Sequence, residues 1–373
     1  MNVEVRALRS DEYESLMRFL ERCYGHSYDF FVRAYPHLYL PGAQSLDRFF
    51  IAVEDGAIVS HVGSFPMEVR VGPARVKCAG IGGVATLPEA RGRGHMSRLI
   101  GEALRQMRRN GEALSILWGD RQRYRHFGYE TCGMKAELAF TLRSLEQSGV
   151  KAVACKEVSP VDPSVVEHIR KLQPLSYYHV ERPRLDLVLS RQGVRAFVCD
   201  DGYLLARGES RNLDIAEVVS ASGDEPGLVL GALQRSFGSR ATIEVGVPGD
   251  PAALRLAQAA SDWHISPQGM ITVVDWPLLA ASLKPILEQR AASAKPFAVS
   301  VGCERGEGVD WATVSWDGRA LKVAPGRSAG EEYKLEAGDL AASLFGGAFA
   351  KTGLGPLSAL LPVPFHVPGL DHV

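Results

Sequence analysis

No run of about 18 or more apolar residues occurs in the 373 residues, so no helix is expected to cross a membrane. The chain begins Met1-Asn2-Val3-Glu4 and is charged from its fourth residue, without the apolar centre of a signal peptide. Six cysteines (Cys23, Cys78, Cys132, Cys155, Cys199 and Cys303) stand far apart and form no CxxC pair. That spacing speaks against a disulfide scaffold or a zinc site and for a reducing, cytoplasmic setting. Charge of one sign is also missing: 42 Lys and Arg balance 43 Asp and Glu, for a net charge of −1. A nucleic-acid partner is therefore not expected, because no basic excess is available to neutralise a phosphate backbone. No cluster has metal-ligand spacing, so no metal is expected.

What remains is an ordinary globular composition, 46% hydrophobic and 23% charged, over a length that asks for two or three domains. Residues 3–8 read as a strand. A helix follows from a cap at Ser10, with Glu12 in its first turn and Gly25 after its end. Residues 49–55, 56–71 and 74–87 are three β-rich runs separated by Asp55-Gly56 and by Val71-Gly72-Pro73, which is turn chemistry. Apolar residues at 96, 99, 100, 103, 104 and 107 keep a helical period, and "EALSILWGD" returns to strand. The middle of the chain repeats this order faintly. Strands are expected at "VRAFVCDD", "GYLLARGES", "LDIAEVVSA" and "ATIEVGVP", with helices at "EPGLVLGALQRSFG" and "DPAALRLAQAASDW". The last part reads as a helix, a small meander and another helix ("EAGDLAASLFGG"), ending in the apolar, proline-rich tail "GPLSALLPVPFHVPGLDHV". The expected fold class is α+β, a mixed α/β chain of three units: residues 1–145, 146–275 and 276–373.

The stretch "GGVATLPEARGRGHMSR" carries the most chemistry. A strand ending in Val84, Ala85 and Thr86 runs into a Gly-rich turn and then a helix, which gathers unpaired backbone N–H groups and the positive end of a helix dipole. Glycines admit phosphate oxygens close to the backbone, and Arg91 and Arg93 add full charges, so a diphosphate fits best. The third glycine of a dinucleotide fingerprint is absent, and no Gly-Lys-Ser/Thr follows. The same six residues alone would also suit a solvated charged turn. The corresponding link in the second copy, "SASGDEPG", is acidic and has lost the anion chemistry.

Arg91-Gly92-Arg93-Gly94-His95-Met96, in a β-α-βββ-α-β setting, resembles the signature of the GNAT acyltransferase superfamily. The resemblance implies that Arg91, Gly92, Arg93, Gly94, His95, Met96 and Ser97 cradle the pyrophosphate of acetyl-CoA as co-substrate. It implies that Val84, Ala85 and Thr86 pair with the pantetheine arm. Met96, where the general pattern has Gly or Ala, fits the enhanced-intracellular-survival (Eis-like) branch. That branch implies a GNAT-type domain, a degenerate GNAT-like domain without the cofactor loop, a sterol-carrier-protein-like C-terminal domain, and assembly as a homo-oligomer.

In "ILWGDRQRYRHFGYE", Tyr124 stands four residues before Gly128-Tyr129, and by resemblance matches the family's general acid. A phenol beside the sulfur can protonate a leaving thiolate. For the amine's own proton the nearby residues leave His126, His95 and Asp120 open. The Eis-like resemblance adds the terminal carboxylate of Val373, folded back into the first domain; the tail could equally cover the third unit's apolar face. Tyr24, Phe30, Phe31 and Tyr35, in the aromatic stretch near Asp29, read as core or as an amine pocket. The expected activity is acetyl transfer from acetyl-CoA to a small-molecule or polyamine-like amine acceptor. The alternative is a CoA-sensing lipid or sterol carrier without turnover.

Overall fold

The computed structural model describes residues 3–208, 210–247, 249–306, 308–328, 330–346 and 353–373. Glu209, Pro248 and Gly347, which fall near the ends of three expected segments, lie outside the described residues. The first unit runs β1 (Val3–Ala7), α1 (Tyr13–Tyr24), α2 (Phe30–Ala34), α3 (Pro36–Tyr39), β2 (Phe49–Glu54), β3 (Ala57–Val71), β4 (Ala74–Thr86), α4 (His95–Arg109), β5 (Leu114–Leu117), α5 (Arg121–Tyr124) and β6 (Glu130–Thr141). The second continues with α6 (Leu142–Gln147), β7 (Lys156–Val158), α7 (Pro163–Leu172), β8 (Tyr178–Val180), α8 (Leu185–Leu189), β9 (Val194–Cys199), β10 (Gly202–Arg207), β11 (Leu213–Ser220), α9 (Glu225–Ser236), β12 (Arg240–Gly246), α10 (Pro251–Ala259) and β13 (Asp262–Val273). The third holds α11 (Trp276–Ala291), β14 (Phe297–Arg305), β15 (Gly308–Trp316), β16 (Leu321–Pro325), β17 (Glu331–Glu336) and α12 (Ala337–Phe345). Among the described residues no helix is long and apolar enough to cross a membrane.

Local chemistry explains most of these elements. Leu99, Ile100, Ala103 and Met107 of α4 are buried along one stripe, while Arg98, Arg105 and Arg109 stay outside it. Gly25 ends α1 in the left-handed conformation (φ +69°), which glycine adopts without steric cost. Ser10 does not cap α1; it begins a short 3-10 turn, and the helix starts at Tyr13.

The first two units share one thirteen-stranded sheet in the order β1-β2-β3-β4-β5-β13-β6-β12-β11-β10-β9-β7, with β8 paired to β3. The order exchanges strands. β13 fills the slot between β5 and β6, and β6 fills the slot between β12 and β13. Residues 262–273 and 130–141 therefore belong to both units at once, although a division at 145/146 separates them in sequence.

The third unit has its own sheet, β16-β15-β14-β17. The antiparallel β14–β16 meander is as expected. β17 adds a strand the sequence reading lacked, returning parallel to β14. Its apolar face is not free. Trp276, Leu279 and Leu340 share one core with Val69, Leu114 and Ile116 of the first unit.

Candidate active site

β4 follows β3 along most of its length, but pairs with β5 only at residues 78–80 against 114–116. Beyond Gly80 the two parallel strands diverge, leaving one edge of residues 81–86 with no strand beside it. The register against β3 also slips: Gly83 and Val84 stand opposite the single residue Val62, a β-bulge that re-aims the strand end. Gly83 can sit there because φ is +61°, and a Cβ would lie 2.2 Å from the Tyr39 hydroxyl. The buried His61 ring holds the bulge from behind, its Nδ1–H donating to the Gly83 carbonyl at 2.8 Å.

The loop after β4 brings the start of α4 to this open edge. Gly92 (φ +75°) and Gly94 (φ +77°) take left-handed conformations, and α4 begins at His95 with no side-chain cap on its first N–H groups. Together they bound a cleft of about 510 Å³. Val84, Ala85, Thr86, Arg91, Gly92, Gly94, His95, Met96 and Ser97 line it, so nearly all the expected residues converge. Tyr24 closes one side, its hydroxyl donating to the Val84 carbonyl at 2.9 Å. Arg91 donates to the Thr86 carbonyl at 3.3 Å and stays exposed.

Arg93 is placed differently from Arg91. Its guanidinium is 2.7 Å from Glu54 and donates to the Glu89 carbonyl at 2.8 Å, so it braces the loop and is absent from the cleft lining. The other carboxylate oxygen of Glu54 lies 3.0 Å from His95 Nε2. The His95 ring is thus buried behind the loop, and it is the start of its helix that faces the cleft.

Tyr124 ends α5, buried apart from 7% of its surface. It fits against Gly119, where a Cβ would come within 2.5 Å of its ring. Burial pushes the Tyr124 phenol above its ordinary range, with Arg123 pulling the other way. Burial, and then the neighbouring Tyr124 phenol, push Tyr24 up to about 12. Both hydroxyls are therefore protonated near neutral pH, which suits a proton donor. Of the three nearby base candidates, Asp120 is committed to capping α5 through the Gln122 N–H (2.7 Å), His95 is buried behind the loop with Glu54 at 3.0 Å, and His126 lies on the exposed turn after Tyr124.

The aromatic stretch divides. Phe31 is core, stacked edge-on to Tyr24, which is 41% exposed in the cleft.

The tail does reach the first unit. The Val373 carboxyl carbon lies 3.0 Å from where a Cβ on Gly82 would stand, and its Cγ2 lies 2.4 Å from the corresponding point on Gly80. Two glycines of β4 thus leave the space in which the chain ends. The anchor is remote in sequence. Arg182, fully buried, meets Asp371 at 2.6 Å and Glu217 at 2.7 Å. Burial opposes its charge, but the two carboxylates outweigh that and raise its pKa. Gln268 donates to the Val367 carbonyl at 3.1 Å, and the His372 ring stacks on Trp118 at 4.0 Å. Sequence reasoning missed Arg182, Glu217, Gln268 and Glu54. Only a charged residue set in an apolar tail, Asp371 after Leu370, hinted at a buried partner. Beside Val373 a second cavity, of about 290 Å³, opens between α3, β3 and the segment 180–188.

Residues 4–132 match the family model described as an acetyltransferase (GNAT) domain. No curated protein sequence matches the chain. Among solved structures, the chain is similar over 100% of both chains to a GCN5-related N-acetyltransferase from Kribbella flavida, at 20% identity and a TM-score of 0.73. Equally complete likenesses are to a probable N-acyltransferase from Enterococcus faecalis V583 (19%, TM-score 0.75) and to Eis1 from Mycobacterium abscessus (16%, TM-score 0.69). These identities establish a shared fold, and the domain match names its chemistry. Residues 4–132 are thus similar to a GNAT acetyltransferase domain, and the chain is an acyltransferase.

Proposed function

We propose that the protein transfers the acetyl group of acetyl-CoA to an amine by direct attack, in the three-unit arrangement of residues 1–145, 146–275 and 276–373. One observation carries this reading: the open edge of β4, the uncapped start of α4 and the chain terminus meet on the same strand. The diphosphate sits at the backbone N–H groups of residues 92–97, with Arg91 adding the full charge. The pantetheine amides pair with the free edge at Val84, Ala85 and Thr86, displacing the Tyr24 hydroxyl from the Val84 carbonyl.

The acceptor nitrogen forms its bond to the thioester carbonyl carbon, and the C–S bond then breaks. Tyr124 gives its phenolic proton to the departing sulfur, and the terminal carboxylate of Val373 takes the proton from the attacking nitrogen. Burial supports the first role, by keeping the phenol protonated. The position of the Val373 carboxyl against Gly82 supports the second. No acyl-enzyme is required. The carrier reading has less support, because the third unit's apolar face is filled by the core it shares with the first.

Acetylation of a primary amine, followed by release of the CoA thiol, tests the proposal. Turnover lost in Tyr124→Phe with acetyl-CoA binding retained is the expected result. Undiminished turnover in that variant would remove Tyr124 from the mechanism.

A further inference from the structure

β7 lies at the edge of the large sheet and pairs antiparallel with β9, Lys156 against Val198, Glu157 against Phe197 and Val158 against Ala196. One residue further along, the same register sets Cys155 opposite Cys199. The two side chains share a face. Cys155, Phe197 and Cys199 pack against the core that holds Leu228 and Leu233 of α9, whereas Val158 and Val198 pack against the core on the other side. Directly opposed residues in an antiparallel pair stand about 4.5–5.5 Å apart at Cα, within the span of about 4.4–6.8 Å that a disulfide bridges. Both are free thiols here, and both are half-buried. Burial, and then the neighbouring Cys199 thiol, push Cys155 up to about 11. Cys199 lines a crevice of about 590 Å³ with Lys156, Ser164, His168 and Asp201, and lies 3.5 Å from the Asp201 carboxylate. Cys78, Cys132 and Cys303 are buried instead, and Cys23 lines the donor cleft.

The pair stands at the neck of an excursion. Between the two cysteines the chain forms α7, β8 and α8, and β8 docks on β3 at residues 69–71. Arg182 and Arg191 of the same excursion hold Asp371 and the Leu370 carbonyl of the tail. We propose that Cys155 and Cys199 form a reversible oxidation site, at which a peroxide joins the two thiols in a disulfide that staples β7 to β9. The peroxide first oxidises the Cys199 thiol to a sulfenic acid and leaves as water. The Cys155 sulfur then attacks the Cys199 sulfur; the S–S bond forms, the S–O bond breaks, and a second water departs with the Cys155 proton. Two thiols are oxidised and one peroxide is reduced, and a small-molecule dithiol reverses the change. Burial keeps both thiols protonated near neutral pH, and the thiolate is the nucleophile, so the site answers to a sustained peroxide load and not to a trace.

The test is peptide mass mapping of the full chain after excess hydrogen peroxide or diamide, with free thiols alkylated and trypsin applied without reductant. The expected product is residues 152–156 joined to residues 196–207 with the loss of two hydrogens, separated again by dithiothreitol. Cys155→Ser should abolish the linked peptide and leave Cys199 as a sulfenic acid that dimedone traps; Cys199→Ser should abolish both. Absence of the linked peptide after both oxidants overturns the proposal, as does Cys199 joined to any other cysteine. No dimedone adduct on Cys199 in the peroxide-treated Cys155→Ser chain overturns Cys199 as the attacking thiol. Thermal unfolding reads the staple itself. The oxidised native chain should melt several degrees above the reduced one, with no such difference in either serine variant. Equal melting of the linked and reduced native chains overturns the bracing role.

Discussion

The molecule contains the same backbone device twice and uses it in opposite ways. In the first unit β4 and β5 pair in parallel for three residues and then part. In the second, β11 and β12 pair at residues 213–215 against 241–243 and then part, with a register slip near Ala216. The first divergence ends at an uncapped helix start and a cleft of about 510 Å³. The second ends at α9, where the Asp224 carboxylate accepts from the Gly227 N–H at 3.1 Å. Glu225, buried in the first turn of α9, is held by Arg255 at 2.7 Å. Two acids at a helix start supply the negative charge that a bound anion would otherwise bring, and they repel that anion. His366 and Pro368 of the tail border what remains, about 100 Å³. The lesson is that the split strands make a crevice, and the residues at the helix start decide whether a ligand or the chain's own tail occupies it.

Several substitutions break or sharpen this contrast. The largest effect belongs to Tyr124→Phe, which should lower turnover by about 10²–10⁴ while a calorimetric titration shows donor affinity unchanged. Arg182→Met leaves Asp371 and Glu217 buried without a counter-charge, at a cost of about 3–5 kcal/mol. Thermal unfolding should shift down by many degrees, and turnover should fall with it because the terminus is released. Extending the chain beyond Val373 is milder for the fold. It should cut turnover at least about tenfold, the low end of a lost proton acceptor, with little change in Tm, because only the end of the tail is crowded. Full activity in an extended chain would remove Val373 from the mechanism. The smallest change is Asp224→Ala in the second crevice, about 1 kcal/mol for a lost cap, with donor binding untouched.

Acid should also act through the tail. Burial pushes His366 and His372 down to about 3. In the unfolded chain each takes up a proton near pH 6.5, whereas in the folded chain it does so only near pH 3. Stability is therefore complete above pH 6.5 and falls as the pH drops, by about 1.4 kcal/mol per pH unit for each histidine. Chemical denaturation at pH 7, 6, 5 and 4 should show this slope, and His372→Gln should flatten it.

What was legible in the sequence was local. The apolar stripe of α4, the turn Arg91-Gly92-Arg93-Gly94 and the Tyr124-to-Gly128 spacing each lie within about four turns of helix, where periodicity and turn chemistry act. The division of labour inside the loop was not legible. Nothing near Arg93 announces that Glu54, on β2, will claim it and leave Arg91, with Arg123, as the cations lining the cleft. The strand exchange was invisible for the same reason, since β13 enters between β5 and β6 from more than a hundred residues away. β17, "EEYKLE", has two apolar residues among charges, and its pairing depends on β14 rather than on its own pattern. The tail showed that it is anchored, but Arg182 and Asp371 meet only in three dimensions.

The central claim is that one of the two crevices binds the donor and the other cannot. Acetyl-CoA titration by calorimetry of the native chain, Arg91→Glu and Arg255→Glu tests it most directly. One site per chain, severely weakened in Arg91→Glu and unchanged in Arg255→Glu, is the predicted result. Two sites per chain, or binding that survives Arg91→Glu and is lost in Arg255→Glu, would contradict it.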